Sequence, residues 1–193
     1  MTGLRDRSGL VPREVYDLTV DELHSFYVGT EGARPQDVLV HNCTDIVADE
    51  GVEGAHTLGD HVRATDSEMA AKARKAQGGV ATRWASQEIA AEAVDKAMKQ
   101  WIAQPGNAGV LESWMNKQAQ RIGKKIPFLP TRDLKTIRWE VRDMEGPLGK
   151  KWVKKGDEVE VHDVETNWVS IQLKYVGKPH KGKYVVYTSY LEK

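Results

Sequence analysis

Histidine is the side chain best suited to acid–base chemistry near neutral pH, because its unperturbed pKa lies close to 6.5. Four of the six histidines lie after residue 50: His56, His61, His162 and His180. His56 and His61 are close together, in residues 54–62, and are candidates for an acid and a base. We expect a structural role for His162, in an acidic strand, and an exposed position in a turn for His180. A structural role for the first pair also remains open.

Cleavage of RNA without a metal ion needs a base for the proton of the 2′-hydroxyl and an acid for the leaving oxygen. It also needs a cation or hydrogen-bond donors to stabilise the charged phosphorane. The last predicted strand, residues 184–191, adds hydroxyl groups, since its alternation places Tyr184, Val186, Thr188 and Tyr190 on one face. The hydroxyls of Thr188 and Tyr190 would lie side by side, although both residue types also favour strands for structural reasons.

A further reactive pattern is His41-Asn42-Cys43, which ends a β-branched run. An asparagine can attack its own downstream peptide bond and cut the chain as it forms a succinimide. The neighbouring histidine can protonate the leaving amine, and the following cysteine is a usual thioester acceptor. The tripeptide is common by itself, so its structural context decides how it is interpreted.

The N-terminal part of the chain has the composition of short strands. β-branched or aromatic runs bounded by Gly, Pro or Asp predict strands at residues 15–20, 25–29 and 38–43. Residues 44–54 are acidic, small and aperiodic, which is typical of a linker.

Residues 65–122 show the apolar spacing of helices. Thr65, followed by Glu68, is a capping-box pattern that predicts a helix start. A longer helix is predicted from Ser86 to Gln104, because a Pro-Gly pair ends its periodic pattern.

A third predicted helix precedes a glycine and places four apolar residues on one stripe: Val110, Leu111, Trp114 and Met115. From about residue 135 the chain is β-rich, and one strand presents an apolar face: Val169, Ile171, Leu173 and Tyr175. Helices followed by strands predict an α+β fold, with N-terminal helices packed on a C-terminal antiparallel sheet. A short β segment precedes this domain.

The chain has a single cysteine, Cys43, which excludes an intramolecular disulfide and a cysteine-built zinc site.

Composition limits the class of protein. The chain is 40% hydrophobic and 29% charged, which predicts a soluble protein, and no apolar run approaches the ~20 residues that cross a bilayer. The N-terminus lacks the apolar stretch of a signal peptide. A net charge of zero hides four basic and eleven acidic residues up to Gly54, against 24 basic and 17 acidic from Ala55 onward. The basic C-terminal part favours a polyanion such as RNA.

Residues 15–20, 24–29 and 38–43 together resemble the C-terminal end of Hint (hedgehog/intein-type) domains, which precede the toxic domain of polymorphic bacterial toxins. The resemblance implies that residues 1–43 are a remnant of an autoprocessing domain, with His41-Asn42-Cys43 at the processing junction. A complete Hint domain also has an upstream nucleophile, usually a cysteine. This chain lacks it, so we expect a fragment that does not process itself.

Three segments resemble the bacterial ribonuclease-A-like toxins of contact-dependent growth inhibition systems. They are the segment with both candidate histidines, the helix at Thr65 and the ending at residues 184–190. The helix from residue 85, the segment 112–115 and the Gly-Lys pair at 149–150 fit the resemblance too. It spans residues 55–193 and implies a disulfide-free, ribonuclease-A-like fold.

In that family, the histidine of a His-Val pair, a basic residue on the next helix, and a Thr and a Tyr on the last strand form the active site. The resemblance implies these catalytic residues: His61, Lys72, Thr188 and Tyr190. It leaves His56 as the acid or as a supporting residue. The family usually has arginine in place of Lys72, and a lysine supplies charge without bidentate geometry. Arg74 is the alternative cation.

The resemblance further implies a secreted toxin that acts in the cytoplasm of a target cell as a metal-independent endoribonuclease, with tRNA as one substrate. It implies a cognate immunity protein as partner, and no cofactor, metal or membrane. Three alternatives stay open: a uridylate-specific endoribonuclease, a toxin that consumes NAD, and a binding module without catalysis. The sequence shows neither the internal duplication expected of the first nor a glycine-rich phosphate loop for the second.

Overall fold

The structure, a computed structural model, describes residues 44–177 and 184–192, and the backbone of Ser25–Gly29 and Asp37–His41. The chain divides into two units, Met1–Asn42 and Cys43–Lys193. In the first unit, strands β1 (Ser25–Gly29) and β2 (Asp37–His41) form an antiparallel pair. The strand predicted at residues 15–20 lies outside the described residues. So do Asn42, Cys43 and the turn predicted around His180.

Within the described residues of the second unit, three α-helices precede the first strand, three more follow it, and five consecutive strands end the unit. Its helices are α1 (Ile46–Asp49), α2 (Thr57–His61), α3 (Asp66–Lys75), α4 (Gln87–Ile102), α5 (Asn107–Gly123) and α6 (Pro130–Asp133). Its strands are β3 (Val80–Trp84), β4 (Lys135–Glu140), β5 (Gly149–Lys155), β6 (Glu158–Asp163), β7 (Trp168–Tyr175) and β8 (Tyr184–Leu191).

The strands of the second unit form two antiparallel sheets, in the orders β3-β5-β6 and β4-β7-β8. Side chains join the sheets, because Thr82 Oγ1 donates to the Leu191 carbonyl at 2.7 Å and Trp84 Nε1 donates to the Ser189 carbonyl at 3.2 Å. Helices with antiparallel sheets confirm the predicted α+β class. The division of the strands between two sheets was not predicted.

The main core lies between α4 and the sheet β4-β7-β8. The helix buries Ala90, Ala93, Val94, Ala97 and Met98, and the sheet buries Ile137, Val169, Ile171 and Leu173. The predicted apolar face of β7 is confirmed at its three aliphatic positions. A second, smaller cluster packs α3 against β5 and consists of Ala64, Met69, Ala73 and Trp152.

Two helix starts are confirmed in atomic detail. The Glu68 carboxylate accepts from the Thr65 N–H at 2.7 Å, and the Thr65 hydroxyl accepts from the Glu68 N–H at 3.3 Å, which completes the capping box. Ser86 caps α4 by accepting from the Ile89 N–H at 3.2 Å. The helix ends at Ile102 rather than at the predicted Gln104. Such caps satisfy backbone donors that a helix leaves free at its N-terminus.

The prediction that residues 65–122 are helical was wrong at β3. This strand lies between α3 and α4 and pairs with β5, so that Val80 is opposite Val153 and Trp84 is opposite Gly149. Its partner lies some 70 residues further along the chain, and a local apolar pattern carries no information about so distant a pairing. The stripe predicted on α5 is also incomplete, because Leu111 is buried whereas Val110 is 45% exposed.

The prediction that four alternate residues of β8 share one face was wrong as well. Thr188 is opposite Gln172, but Val186 is opposite Leu173, so Tyr187 forms a bulge in β8. An extra residue in one strand inverts the alternation beyond it. Thr188 and Tyr190 therefore share a face, and Val186 lies on the other one.

A buried acid links α1 to β8. The Asp49 carboxylate accepts from the Val186 N–H at 2.7 Å, and burial raises the pKa of Asp49 from 3.8 to about 7. The hydrogen bond to Val186 lowers this pKa, and the nearby charge of Asp45 raises it.

We expect the Asp49→Asn variant to lose a pH dependence of stability. The folded chain keeps the Asp49 proton between pH 4 and pH 7, where the unfolded chain has released it. The wild type therefore loses about 1.4 kcal/mol per pH unit across this window, relative to the variant. Urea unfolding of both proteins at pH 5, 6, 7 and 8 measures the difference. Parallel stability curves would contradict the raised pKa.

Candidate active site

A cleft of about 600 Å³ opens between α2, α3, β3 and β8. All five residues that the sequence nominates for catalysis line it: His56, His61, Lys72, Thr188 and Tyr190. They come from the consecutive helices α2 and α3 and from β8, at the other end of the domain. The structure therefore brings together the two ends of the domain that the chemistry requires to meet.

Helix α2 follows His56, ends at His61 and is fixed by hydrogen bonds at its N-terminal end. His56 precedes its first residue, and the His56 N–H donates to the Tyr187 carbonyl of β8 at 2.9 Å. The Glu50 carboxylate accepts from the N–H groups of Leu58 and Gly59, at 2.8 Å each. A carboxylate at a helix N-terminus satisfies free donors and interacts favourably with the helix dipole. His61, the last residue of α2, is thereby held against β8.

His61 is a neutral imidazole in a largely buried position. Burial lowers its pKa from 6.5 to about 4; the charge of Lys72 lowers it further, and a hydrogen bond with the Thr82 backbone raises it. Its ring lies 5.6 Å from the ring of Tyr190, centroid to centroid, at an interplanar angle of 34°. Nδ1 is buried and has no hydrogen-bond partner within the described part of the chain. A neutral imidazole near pH 7 can accept a proton.

Lys72 reaches the cleft because α3 buries its neighbours Met69 and Ala73 against the second core. Its ammonium donates to the Asp60 carbonyl at 2.9 Å and to Asp60 Oδ1 at 3.1 Å. Burial raises the pKa of Asp60, but the hydrogen bond and the charge of Lys72 outweigh burial and lower it. The lysine side chain is 39% exposed, so its charge is held in place and still accessible to a phosphate.

Thr188 presents a hydroxyl that lacks a partner. Its side chain is buried, and Oγ1 makes no hydrogen bond to any residue that the structure describes. A buried polar group without a partner costs roughly 1–3 kcal/mol. Such a group next to a cleft can be satisfied by a bound ligand. Tyr190 stands two residues further along the same face, and it is partly exposed.

His56 is oriented by contacts on both ring nitrogens. Nδ1 lies 2.9 Å from the Gly54 carbonyl, so it carries the proton in the neutral ring. Nε2 lies 4.0 Å from Asp60 Oδ2, and the ring packs edge-on against Tyr187 with centroids 4.8 Å apart. Asp60 thus lies between His56 and Lys72 and contacts both.

Sequence reasoning missed the charged residues Arg138 and Glu192, which line the cleft, and Asp60, which contacts the lining residue Lys72. A signal existed for Asp60, because it follows His56 by one helical turn and directly precedes His61. No local signal existed for Arg138, which lies on β4 opposite Ser170, and Ser170 is in turn opposite Tyr190. Its guanidinium pairs with Glu192 at 3.1 Å and lines the cleft.

The remaining nominated residues lie elsewhere. His162 is exposed on β6 and pairs with Glu160 at 3.1 Å. Arg74 is exposed and does not line the cleft. His41 ends β2, and its side chain lies outside the described residues, as do Asn42 and Cys43. Among the described residues, no three or more His, Cys, Asp or Glu side chains form a cluster that could hold a metal ion.

The helices and two antiparallel sheets are consistent with a ribonuclease-A-like fold, and a single cysteine allows no intramolecular disulfide. Residues 55–190, more than half of the chain, match the family described as the bacterial CdiA-CT RNase A domain, and the chain belongs to that family. These are antibacterial toxin ribonucleases that are delivered into target cells. Comparisons with curated proteins and with solved structures gave no significant match.

No helix in the described part of the chain is long and apolar enough to cross a bilayer.

Proposed function

We propose that the chain is an endoribonuclease toxin that cleaves RNA by transphosphorylation and needs no metal ion. The observation that supports this most is the meeting of His61 with Thr188 and Tyr190 in one cleft. These residues come from the opposite ends of the domain and supply the groups that the reaction requires. Delivery into the cytoplasm of a competitor follows from the family, whose members are toxins delivered into target cells.

In the proposed reaction, His61 accepts the proton of the 2′-hydroxyl, and the 2′-oxygen attacks the adjacent phosphorus. The bond from phosphorus to the 5′-oxygen breaks, and His56 is the proposed donor of the proton that this oxygen takes up. The products are a 2′,3′-cyclic phosphate and a 5′-hydroxyl. Because burial lowers the pKa of His61 to about 4, its ring is unprotonated at neutral pH and is available to accept this proton.

Lys72, Thr188 and Tyr190 are proposed to stabilise the phosphorane. Lys72 contributes its charge, although Asp60 neutralises part of it. The unpartnered hydroxyl of Thr188 can donate to a phosphate oxygen and would gain a hydrogen bond that it lacks in the free protein. Preorganised donors of this kind act most strongly where charge develops during the reaction.

We also propose a domain organisation, a substrate and a protein partner for this chain. Residues 1–43 are a remnant of a Hint autoprocessing domain, and residues 55–193 are the toxin domain. Residues 44–54, predicted as a linker, include α1 and pack with the toxin domain, because Ile46 is part of its core and Asp49 bonds to Val186. The substrate is a structured cytosolic RNA such as tRNA. A cognate immunity protein protects the producing cell by covering the basic cleft.

The test is incubation of total RNA with the purified chain, in magnesium and in EDTA, followed by analysis of the product ends. We expect cleavage under both conditions, with 2′,3′-cyclic phosphate and 5′-hydroxyl ends. Cleavage that EDTA abolishes, or fragments with 5′-phosphate ends, would overturn the proposed mechanism.

A further inference from the structure

A second cleft, of about 380 Å³, lies between the end of α5, the segment that follows it, and the end of β7. Basic and aromatic side chains line it together: Arg121, Lys125, Phe128, Lys174 and Tyr175. Grooves that hold single-stranded nucleic acid combine these two kinds of side chain, because bases stack on aromatic rings while cations bind the phosphates.

Phe128 is exposed to solvent but firmly held. Its side chain is 41% exposed. On one side of it, the Pro127 carbonyl accepts from Arg132 at 2.7 Å, and on the other side the Leu129 N–H donates to the buried Asp133 at 2.8 Å. Because the backbone on both sides of Phe128 is fixed, stacking of a ligand on its ring costs little backbone freedom.

The second cleft is linked to the catalytic cleft by an aromatic residue. The ring of Tyr187 lies 6.2 Å from that of Phe128 and 4.8 Å from that of His56, centroid to centroid. His56 lines the catalytic cleft, whereas Phe128 lines the second one. A chain that leaves the catalytic cleft past His56 therefore meets the ring of Phe128 directly beyond Tyr187.

The charges of the second cleft favour an anion. Its two carboxylates are already paired, Glu53 with Lys174 at 3.2 Å and Asp133 with Arg132 at 2.7 Å. Lys125 lines the cleft, and no carboxylate pairs with it among the residues that the structure describes. It is therefore the cation best placed to bind a phosphate.

We propose that the second cleft binds a nucleotide of the RNA substrate that flanks the scissile phosphate. The Lys174 ammonium lies 4.5 Å from the centroid of the Phe128 ring, so the base stacks on the opposite face of this ring, and Lys125 binds the phosphate. This inference rests on the proposed ribonuclease function and extends it, because it assigns an RNA-binding role to residues outside the catalytic cleft.

The experiment measures the binding of a fluorescent 2′-O-methyl octanucleotide by anisotropy. This probe lacks the 2′-hydroxyl nucleophile, so binding is measured even if the chain cleaves no RNA. We expect Phe128→Ala to raise Kd about tenfold, the effect of losing one base–aromatic stack. Val110→Ala, which truncates a similarly exposed apolar side chain on α5, is expected to leave Kd unchanged.

Salt dependence separates stacking from charge. Lys125→Ala is expected to lower the slope of log Kd against log salt by about 0.7, the share of one phosphate contact on a single strand. Phe128→Ala should leave that slope unchanged. Lys117→Ala removes a lysine of the same helix region that lines a different groove, and it serves as the control for charge.

Unchanged octanucleotide binding by Phe128→Ala and Lys125→Ala would overturn the inference and would leave this surface to a protein partner. A loss of binding together with a lowered melting temperature would also count against it, because the exposed positions should tolerate truncation. Cleavage of the unmodified octanucleotide by the wild type is scored separately. If the wild type binds through Phe128 but cleaves nothing, the proposed function fails while the binding site stands.

Discussion

Replacement of His61 by glutamine is expected to lower kcat/KM for RNA cleavage by about 10²- to 10⁴-fold, the usual contribution of a general acid–base group. Glutamine fills much of the space of the imidazole but accepts no proton at neutral pH. His162→Gln is the matched control, since His162 lies exposed on β6 and pairs with Glu160. Steady-state cleavage of a fluorogenic oligoribonucleotide measures both variants. Undiminished activity of His61→Gln would remove His61 from the mechanism.

The pH dependence of kcat/KM of the wild type tests the role of His61 as the base in a second way. A base must be unprotonated, so kcat/KM falls as the pH drops through its pKa. Burial, together with the charge of Lys72, lowers the pKa of His61 from 6.5 to about 4, so we expect activity to hold between pH 7 and pH 5 and to decline near pH 4. A decline centred near pH 6.5 would indicate an ordinary, exposed histidine as the base.

Replacement of Thr188 by valine is expected to change activity and stability in opposite directions. Valine has nearly the same shape but no hydroxyl, so loss of the proposed phosphorane donor should lower kcat by about 10²- to 10³-fold. The Thr188 hydroxyl is buried without a hydrogen bond to the described residues. Its removal should therefore raise the free energy of unfolding by about 1 kcal/mol. Single-turnover cleavage and urea unfolding measure the two effects.

Ser189→Ala is the control for this prediction. The Ser189 hydroxyl is likewise buried without a partner in the described chain, but it lies on the opposite face of β8 from the cleft. We expect similar or greater stability and unchanged kcat for this variant. A Thr188→Val protein that is less stable and fully active would show that the hydroxyl serves the fold rather than the reaction.

Local chemistry in the sequence was sufficient to predict the starts of α3 and α4, although it did not predict α2. The capping box of Thr65 and Glu68 involves residues three apart, and the cap at Ser86 depends on its own helix. Such contacts are independent of the rest of the fold, so the pattern in the sequence and the observed hydrogen bonds agree. The alternation of apolar residues in β7 was predictable for the same reason.

Long-range pairing could not be predicted from local patterns. Residues 80–84 were predicted as part of a helical region, because only their pairing with β5 defines them as strand β3. The bulge at Tyr187 arises from the register between β7 and β8. Thr188 and Tyr190 share a face, as the alternation predicts, but the bulge puts this face on the side of the strand opposite to Val186. Arg138 reaches the cleft only through the register of three strands.

Residue type and local spacing nominated His56, His61, Thr188 and Tyr190, but only the resemblance joined them with Lys72 in one active site. His61 and Tyr190 are 129 positions apart, and nothing in the intervening residues shows that their rings approach to 5.6 Å. Asp60 illustrates the opposite case. It is adjacent to His61 and one helical turn from His56, so its contact with His56 could have been anticipated from helical spacing. Its contact with Lys72 joins two different helices and could not.

The most direct test of the central claim uses a DNA oligonucleotide with a single ribonucleotide, incubated with the wild-type chain in EDTA. Transphosphorylation by this cleft predicts one cut, directly 3′ to the ribonucleotide, that leaves a 2′,3′-cyclic phosphate detectable by mass spectrometry. The His61→Gln variant should leave the oligonucleotide intact. Cleavage at deoxynucleotides, or cleavage that appears only when magnesium is added, would contradict the account.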